Sequence, residues 1–476
     1  MYIKRVKLVL MRDLFCIGAL LFSKVIFAAE FSQVRPSNEE FMELPEANWL
    51  KNGGDFYNRN FSQLDQINTS NVGDMIPIWR SHLAGSGVEA RFSGEAQPIV
   101  QDGIMYIITG ADDVFALSVE TGEILWSSFA NLTSEISTVC CGWTSRGVAV
   151  GEDKVFVGQL DGVLKAINKE SGETVWSIQA ENWQDGYTIT SAPLYFEGLV
   201  ITGFAGAEFA ARGRVKAFDA SDGSLVWTFF TVPGPGEFGH DSWPSDSTAW
   251  ETGGGTVWHT PAVDPDLGLI YFSTGNPGPD YNGAIRAGDN LFTASIVAID
   301  AYSGEYRWHF QQVHHDIWDY DAPNPVVLFD LEYDGVPRKG LAQAGKTGWV
   351  YILDRVTGEP LVGIEERAVP QEPRQATAAT QPFPIGDPFV TQTLDIPPEG
   401  FDLTNQGKIF TPFWDEPILL KRGEANWPPS TVDPKKGYIY VCAGERQAAY
   451  STQTDTDLAT SGDRYTGGSM RFAPVP

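Results

Sequence analysis

An eleven-residue pattern recurs along the chain and leaves few architectures open. ALSVETGEILW occupies Ala116–Trp126, AINKESGETVW Ala166–Trp176, AFDASDGSLVW Ala217–Trp227 and AIDAYSGEYRW Ala298–Trp308. A fifth copy, ILDRVTGEPLV, begins at Ile352 and lacks the final tryptophan. A small or apolar residue opens each copy, and glycine holds the seventh place. Starts fall about 50 residues apart, with one interval near 80. Each copy reads as strand, tight turn, strand, with glycine supplying the positive φ that the turn requires. Another hairpin precedes it, as in IMYIITGADDVFAL and KVFVGQLDGVLKAI. Four short strands per repeat make one blade of an all-β propeller, the tryptophan packing between blades. The 49 glycines, 30 prolines and 15 tryptophans suit that design. No separate second domain is expected. STVDPKKGYIYV (Ser430–Val441) begins another blade and the remainder to Pro476 is polar, so the sequence reads as a propeller incomplete at its C-terminus.

The N-terminus has a basic start, an apolar run at Leu14–Ser23 interrupted by Lys24, and small residues at Ala28–Ala29. This is a signal-peptide pattern over residues 1–29, with Met11 an alternative start, leaving 30–476 as the propeller. Cleavage would remove Cys16 and take the net charge from −28 to about −32. Such acidity makes nucleic acid and anionic membranes poor partners and suits a basic electron carrier, or simply keeps an exported protein soluble. No later stretch is apolar enough to span a bilayer. The mature protein is expected in an oxidising compartment, where disulfides persist.

That compartment bears on TVCCGWTSRG (Thr138–Gly147), where Cys140 and Cys141 are neighbours in a chain with four cysteines. A bond between neighbours closes almost no loop and restrains the unfolded chain very little. It is better explained as a surface than as a staple, and it leaves Cys442 unpaired.

The repeats and the adjacent cysteines together resemble the pyrroloquinoline-quinone (PQQ) dependent alcohol dehydrogenases, eight-bladed periplasmic quinoproteins, from about Asn48 to Val441. Members of that family run longer, and some add a cytochrome c domain. The resemblance implies that a Cys140–Cys141 disulfide lies flat against one face of the quinone and that Trp258, in TVWHT, stacks on the other. It further implies PQQ contacts from Glu95 in SGEAQP, Arg146, Thr190 in YTITSAP and Thr256 in GGGTVW. Ala205, Gly206 and Ala207 of GFAGAEF pass the quinone edge, with Ala205 standing where the family often has serine. Lys346 in AGKTGWVYILDR would stabilise the reduced cofactor, and in ANWPPS Asn426 is a PQQ contact while Trp427 borders the substrate.

The same resemblance assigns the metal and the base. Glu208 and Asn276, in STGNPGPDYNG, match metal ligands of the oxygen type that hard cations require. In HHDIWDYDAP, Asp319 matches the catalytic base, which takes the substrate hydroxyl proton as hydride passes to the quinone, the metal polarising the C5 carbonyl. Asp319 also touches the metal. Asp321 resembles the extra carboxylate of lanthanide-dependent members, yet WDYDAP equally resembles the glucose dehydrogenases that use divalent ions. Ca²⁺ is the expected metal, with a lanthanide the alternative. His314 and His315 have no zinc pattern around them and read as hydrogen-bonded framework.

The chain therefore reads as a periplasmic enzyme oxidising a small alcohol to an aldehyde and passing electrons to a cytochrome c. A quinoprotein acting on a sugar or polyvinyl alcohol is the second reading. A non-catalytic scaffold propeller is the third, because repeats alone do not fix function.

Overall fold

The computed structural model describes residues 36–83, 92–333, 335–394, 396–397, 403–454 and 457–473. The predicted signal peptide, with Cys16, lies outside the described residues. Among the described residues helix amounts to one five-residue turn, Asn38–Met42, and short 3₁₀ turns; everything else regular is strand. Among the described residues no helix is long and apolar enough to cross a membrane.

Four antiparallel four-stranded sheets follow one another along the chain, each a simple meander. They comprise Ile99–Gln101 to Ile124–Ser128, Ala149–Gly151 to Thr174–Gln179, Leu194–Phe196 to Leu225–Phe230, and Ala262–Asp264 to Tyr306–Gln311. In each, the repeat forms the last two strands. Its first residue lies opposite its tryptophan, as Ala116 opposite Trp126, Ala166 opposite Trp176, Ala217 opposite Trp227 and Ala298 opposite Trp308. The register shifts directly beside this pair, a bulge that twists the strand into its turn.

The tryptophans join each sheet to the next. Trp126, Trp176, Trp227 and Trp308 donate their indole N–H to the carbonyls of Lys169, Ala220, Ala301 and Arg355, the fourth residue of the following copy, at 2.8–3.1 Å. The same rings lie over the seventh residue of that copy. A methyl group at Gly172, Gly223, Gly304 or Gly358 would come within 2.8 Å of the indole, so these glycines serve close approach as well as positive φ. Trp79 does the same for the first copy, donating to Val119 at 2.8 Å over Gly122. The sequence pattern missed Trp79 because no turn motif precedes it.

The fifth copy stands in a three-stranded sheet, Val327–Tyr333, Val336–Ala344 and Val350–Asp354. The proline-rich stretch that follows the fifth copy carries a two-stranded ribbon, Ile364–Ala368 with Thr380–Pro384. The stretch beyond Val441, read from sequence only as polar, is strand-bearing. Gly444–Thr452 pairs with both Ile418–Glu424 and Gly468–Phe472. Burial of Ala448 and Tyr450 ties that sheet to the main core.

The same core fixes the segment that carries Asp319. Trp318 and Tyr320 flank it, stacked at 5.7 Å and fully buried. The Trp318 indole donates to the Thr411 carbonyl, and the Tyr320 hydroxyl to that of Lys421, both at 2.9 Å. Truncating either ring to alanine would cost about 3–5 kcal/mol.

Candidate active site

Segments that connect strands, the WDYD segment among them, converge on one cavity of about 320 Å³. All sixteen residues expected from the sequence to contact the cofactor, hold the metal or act as base line it, and Trp427 does so too. They fall into two groups of different character.

The first group is a firm wall. Cys140 and Cys141 are joined by a disulfide across Cα atoms 3.8 Å apart, while Cys442 is free and exposed. Thr138 anchors the approach to the disulfide through a 2.7 Å bond to the Trp183 carbonyl. Arg146 forms the centre of this wall. Its Nη2 lies 2.7 Å from Glu95 Oε2, and its Nη1 donates to Thr190 Oγ1 and the Trp258 carbonyl, both at 3.0 Å. The guanidinium sits 4.7 Å from the Trp258 ring centroid, a cation–π contact. Burial lowers its pKa and Glu95 opposes that shift, so it stays cationic. Ala205 is held by paired backbone bonds with Thr188, and a side chain at Gly206, with φ 128°, would strike the Gly186 carbonyl.

This wall can be tested for fit to PQQ. A tricyclic carboxylated quinone needs two flat apolar faces, cationic donors and a volume of this order. The disulfide and the Trp258 indole supply surfaces of that kind. Arg146 Nε and Thr144 Oγ1 are buried without a protein partner, which suits donors held for a ligand. The residues fit the cofactor. Ala205 brings no hydroxyl to this wall.

The second group is an ionic lattice. Lys346 is 6 % exposed, not a surface lysine, and its Nζ lies 2.8 Å from Asp319 Oδ1 and 2.5 Å from Asp321 Oδ1. Arg422 Nη2 lies 2.8 Å from Asp319 Oδ2. Asp319 adopts φ 56°, a left-handed conformation uncommon for a residue with a side chain. Burial pushes its carboxyl up, but Lys346 and Arg422 together outweigh it and hold the pKa below the usual range. At Asp321 burial prevails over Lys346, and the pKa rises to about 6. Glu208 is also raised, by burial first and then by repulsion from Asp319 and Asp321.

Glu208, Asn276 and Asp319 offer an oxygen-only donor set of the kind hard cations take. The Asn276 side-chain nitrogen donates to the Pro277 carbonyl, leaving Oδ1 as the acceptor. Among the described residues no three carboxylate, imidazole or thiolate groups form a ready metal cage. The fourth expected ligand, Asp321, is engaged by Lys346, and Lys346 itself faces the two aspartates.

Asn426 reaches the cavity but spends its side-chain oxygen on the Trp427 N–H at 2.8 Å. His314 and His315 do not line it. His315 is buried between the Gly288 and Gln375 carbonyls at 2.7 and 2.6 Å, and His314 bonds Gln311 and Glu366. Arg422, Thr138, Thr144, Met470 and Phe472 line the cavity without having been singled out. The sequence offers no signal for Arg422: it lies three residues before ANW on a strand buried on both faces.

The chain matches the family described as PQQ glucose/ethanol/alcohol dehydrogenase, β-propeller domain, over residues 49–441. It is 36 % identical over 371 residues to the quinoprotein alcohol dehydrogenase PedH of Pseudomonas putida, covering 74 % of this chain and 61 % of that protein. The crystal structure of the quinohemoprotein alcohol dehydrogenase from Comamonas testosteroni superposes with a TM-score of 0.72 at 29 % identity, covering 89 % of this chain and 63 % of that one. A europium-containing methanol dehydrogenase gives 0.72 at 28 % identity, covering 90 % and 73 %. The chain thus spans about three fifths of the length of the curated relative, 61 %.

Proposed function

The chain belongs to the PQQ glucose/ethanol/alcohol dehydrogenase β-propeller family, and from that premise we propose that it oxidises an alcohol to an aldehyde. The observation that carries this reading is the convergence on one cavity of a neighbouring-cysteine disulfide, an indole and a partly unpartnered buried guanidinium with a carboxylate held between two cations. PQQ would be held between Cys140–Cys141 and Trp258, with Arg146, Glu95, Thr190 and Thr256 around its polar groups, Ala205–Ala207 at its edge, and Lys346 and Asn426 nearby. Glu208, Asn276 and Asp319 would hold a metal, with Asp321 within its field. When bound, the cofactor and its metal supply the acceptor for the hydride leaving the alcohol carbon.

The chain's own part is proton handling and orientation. Asp319 takes the hydroxyl proton on a carboxylate oxygen. Its depressed pKa keeps it ionised, and therefore competent to accept, across the neutral range. Lys346 balances the charge of the two aspartates, and Trp427, Met470 and Phe472 limit access to the cavity. We assign Ca²⁺ rather than a lanthanide because Asp321 is neutralised by Lys346. Electrons would leave to a cytochrome c; the formal net charge of −28, about −32 after cleavage of the predicted signal peptide, suits a basic carrier. The place of action would be the periplasm, reached through the predicted signal peptide.

The test is reconstitution with PQQ plus Ca²⁺ or La³⁺ and assay of dye reduction with ethanol, glucose and polyvinyl alcohol. Turnover is expected with ethanol, and Asp319→Asn should lower it by about 10³-fold while cofactor binding persists. Turnover retained by Asp319→Asn removes it as base. Preference for glucose or the polymer favours the second substrate class. Asp321→Ala should spare calcium-supported activity; a loss confined to La³⁺ would reassign it as a ligand.

A further inference from the structure

Asp319 is gripped from two sides, and the grips differ in kind. Lys346 divides one ammonium between two carboxylates, at 2.8 and 2.5 Å. A rotating ammonium shared in this way sets charge more than direction. Arg422 is committed. Its Nη2 donates to Asp319 Oδ2 at 2.8 Å, while Nη1 donates to the Trp318 carbonyl and the Tyr450 hydroxyl, both at 3.0 Å. Its guanidinium lies 5.9 Å from the Tyr320 ring centroid, and the residue is 1 % exposed. A planar fork tied to the backbone before Asp319 and to a separate strand has one available orientation.

The backbone of Asp319 needs such a restraint. Its φ of 56° carries a cost of about 1 kcal/mol or more that surrounding contacts must offset. A carboxylate offers about four acceptor positions, of which Lys346 and Arg422 take two. The remaining ones are left for the metal and for a hydroxyl in the cavity, which Arg422 also lines.

We propose that Arg422 is the positioning residue of this site: anchored by Tyr450 and the Trp318 carbonyl, it fixes the plane of the Asp319 carboxylate against the substrate hydroxyl. The inference rests on the reading of Asp319 as base. It also gives the strand Gly444–Thr452 a part in the chemistry, because that strand supplies Tyr450.

The test uses the protein loaded with PQQ and Ca²⁺, with ethanol as substrate. Arg422→Lys keeps the charge and loses the fork. Per bound cofactor, kcat is expected to fall about 10–100-fold with KM changed by less than about threefold, and with cofactor affinity unaltered. Methylguanidinium should restore part of the activity of Arg422→Ala. Tyr450→Phe removes one anchor only and should lower kcat by about 2–5-fold. A second measurement needs neither cofactor nor turnover: the pair Arg422→Gln/Asp319→Asn should melt higher than Arg422→Gln alone, since removing the carboxylate relieves an uncompensated buried charge. Wild-type kcat in Arg422→Lys beside an inactive Asp319→Asn overturns this inference and leaves the base reading intact. Full turnover by Asp319→Asn overturns the base reading itself. Should the Arg422 variants fail to fold, unchanged kcat in Tyr450→Phe overturns the proposal.

Discussion

The two walls of the cavity solve different problems. The wall of Cys140–Cys141, Arg146 and Trp258 is assembled from residues 95–258 and held by bonds to backbone: Arg146 meets the Trp258 carbonyl, Thr138 the Trp183 carbonyl, and Ala205 pairs with Thr188. The wall of Asp319, Asp321, Lys346 and Arg422 is held by charges that satisfy one another. The first is a shaped surface that needs no ligand to stay in place. The second is a balance, in which moving any one charge leaves another exposed to a poorly solvating interior. A fold can therefore set affinity with one wall and reactivity with the other.

Substitutions can break that division. Arg146→Met removes the cation facing Glu95 and should weaken PQQ binding by about 100-fold or more, read by quinone absorbance during titration. An unchanged affinity would show that the firm wall does not carry binding. Trp258→Ala should weaken binding by about tenfold while leaving kcat per bound cofactor nearly unchanged, because it removes one stacking face and no charge. If kcat collapses instead, the walls are not separable.

The subtlest expectation concerns pH. Burial raises Asp316 to about 7 and Asp321 to about 6, from 3.8. In both cases the folded chain binds more protons than the unfolded chain between pH 3.8 and those values. Their contribution therefore favours the fold at low pH and is lost as pH rises toward about 7. Metal-free Asp321→Asn should show a flatter stability profile across that window in denaturant melts. The first wall offers no matching slope, since Arg146 stays charged throughout.

The same division explains what the sequence revealed. The firm wall was legible because its residues lie in short local motifs, CCGWTSR, GFAGAE and TVWHT, placed on blades whose repeat could be counted. Asp319, Asp321 and Lys346 were legible as positions, but not as one lattice, because their pairing joins segments 27 and 25 residues apart through the fold. Arg422 was not legible. Its strand, ILLKRGE, is buried at nearly every described position, so no alternation marks the inward side chain. Met470 and Phe472 reach the cavity on a strand that pairs across the Ser451–Ser469 register, a contact between distant segments that composition cannot show. Trp79 escaped for a related reason: it completes the interlock of the first copy from outside any copy.

The most direct measurement is a PQQ titration of the calcium-loaded protein, followed by quinone absorbance, with the Cys140–Cys141 disulfide intact and then reduced and alkylated. The account predicts saturable binding at one site per chain when the disulfide is intact, and loss of most of that affinity when it is opened. Equal binding by the alkylated protein, or none by the intact one, would contradict the assignment of this cavity to the cofactor.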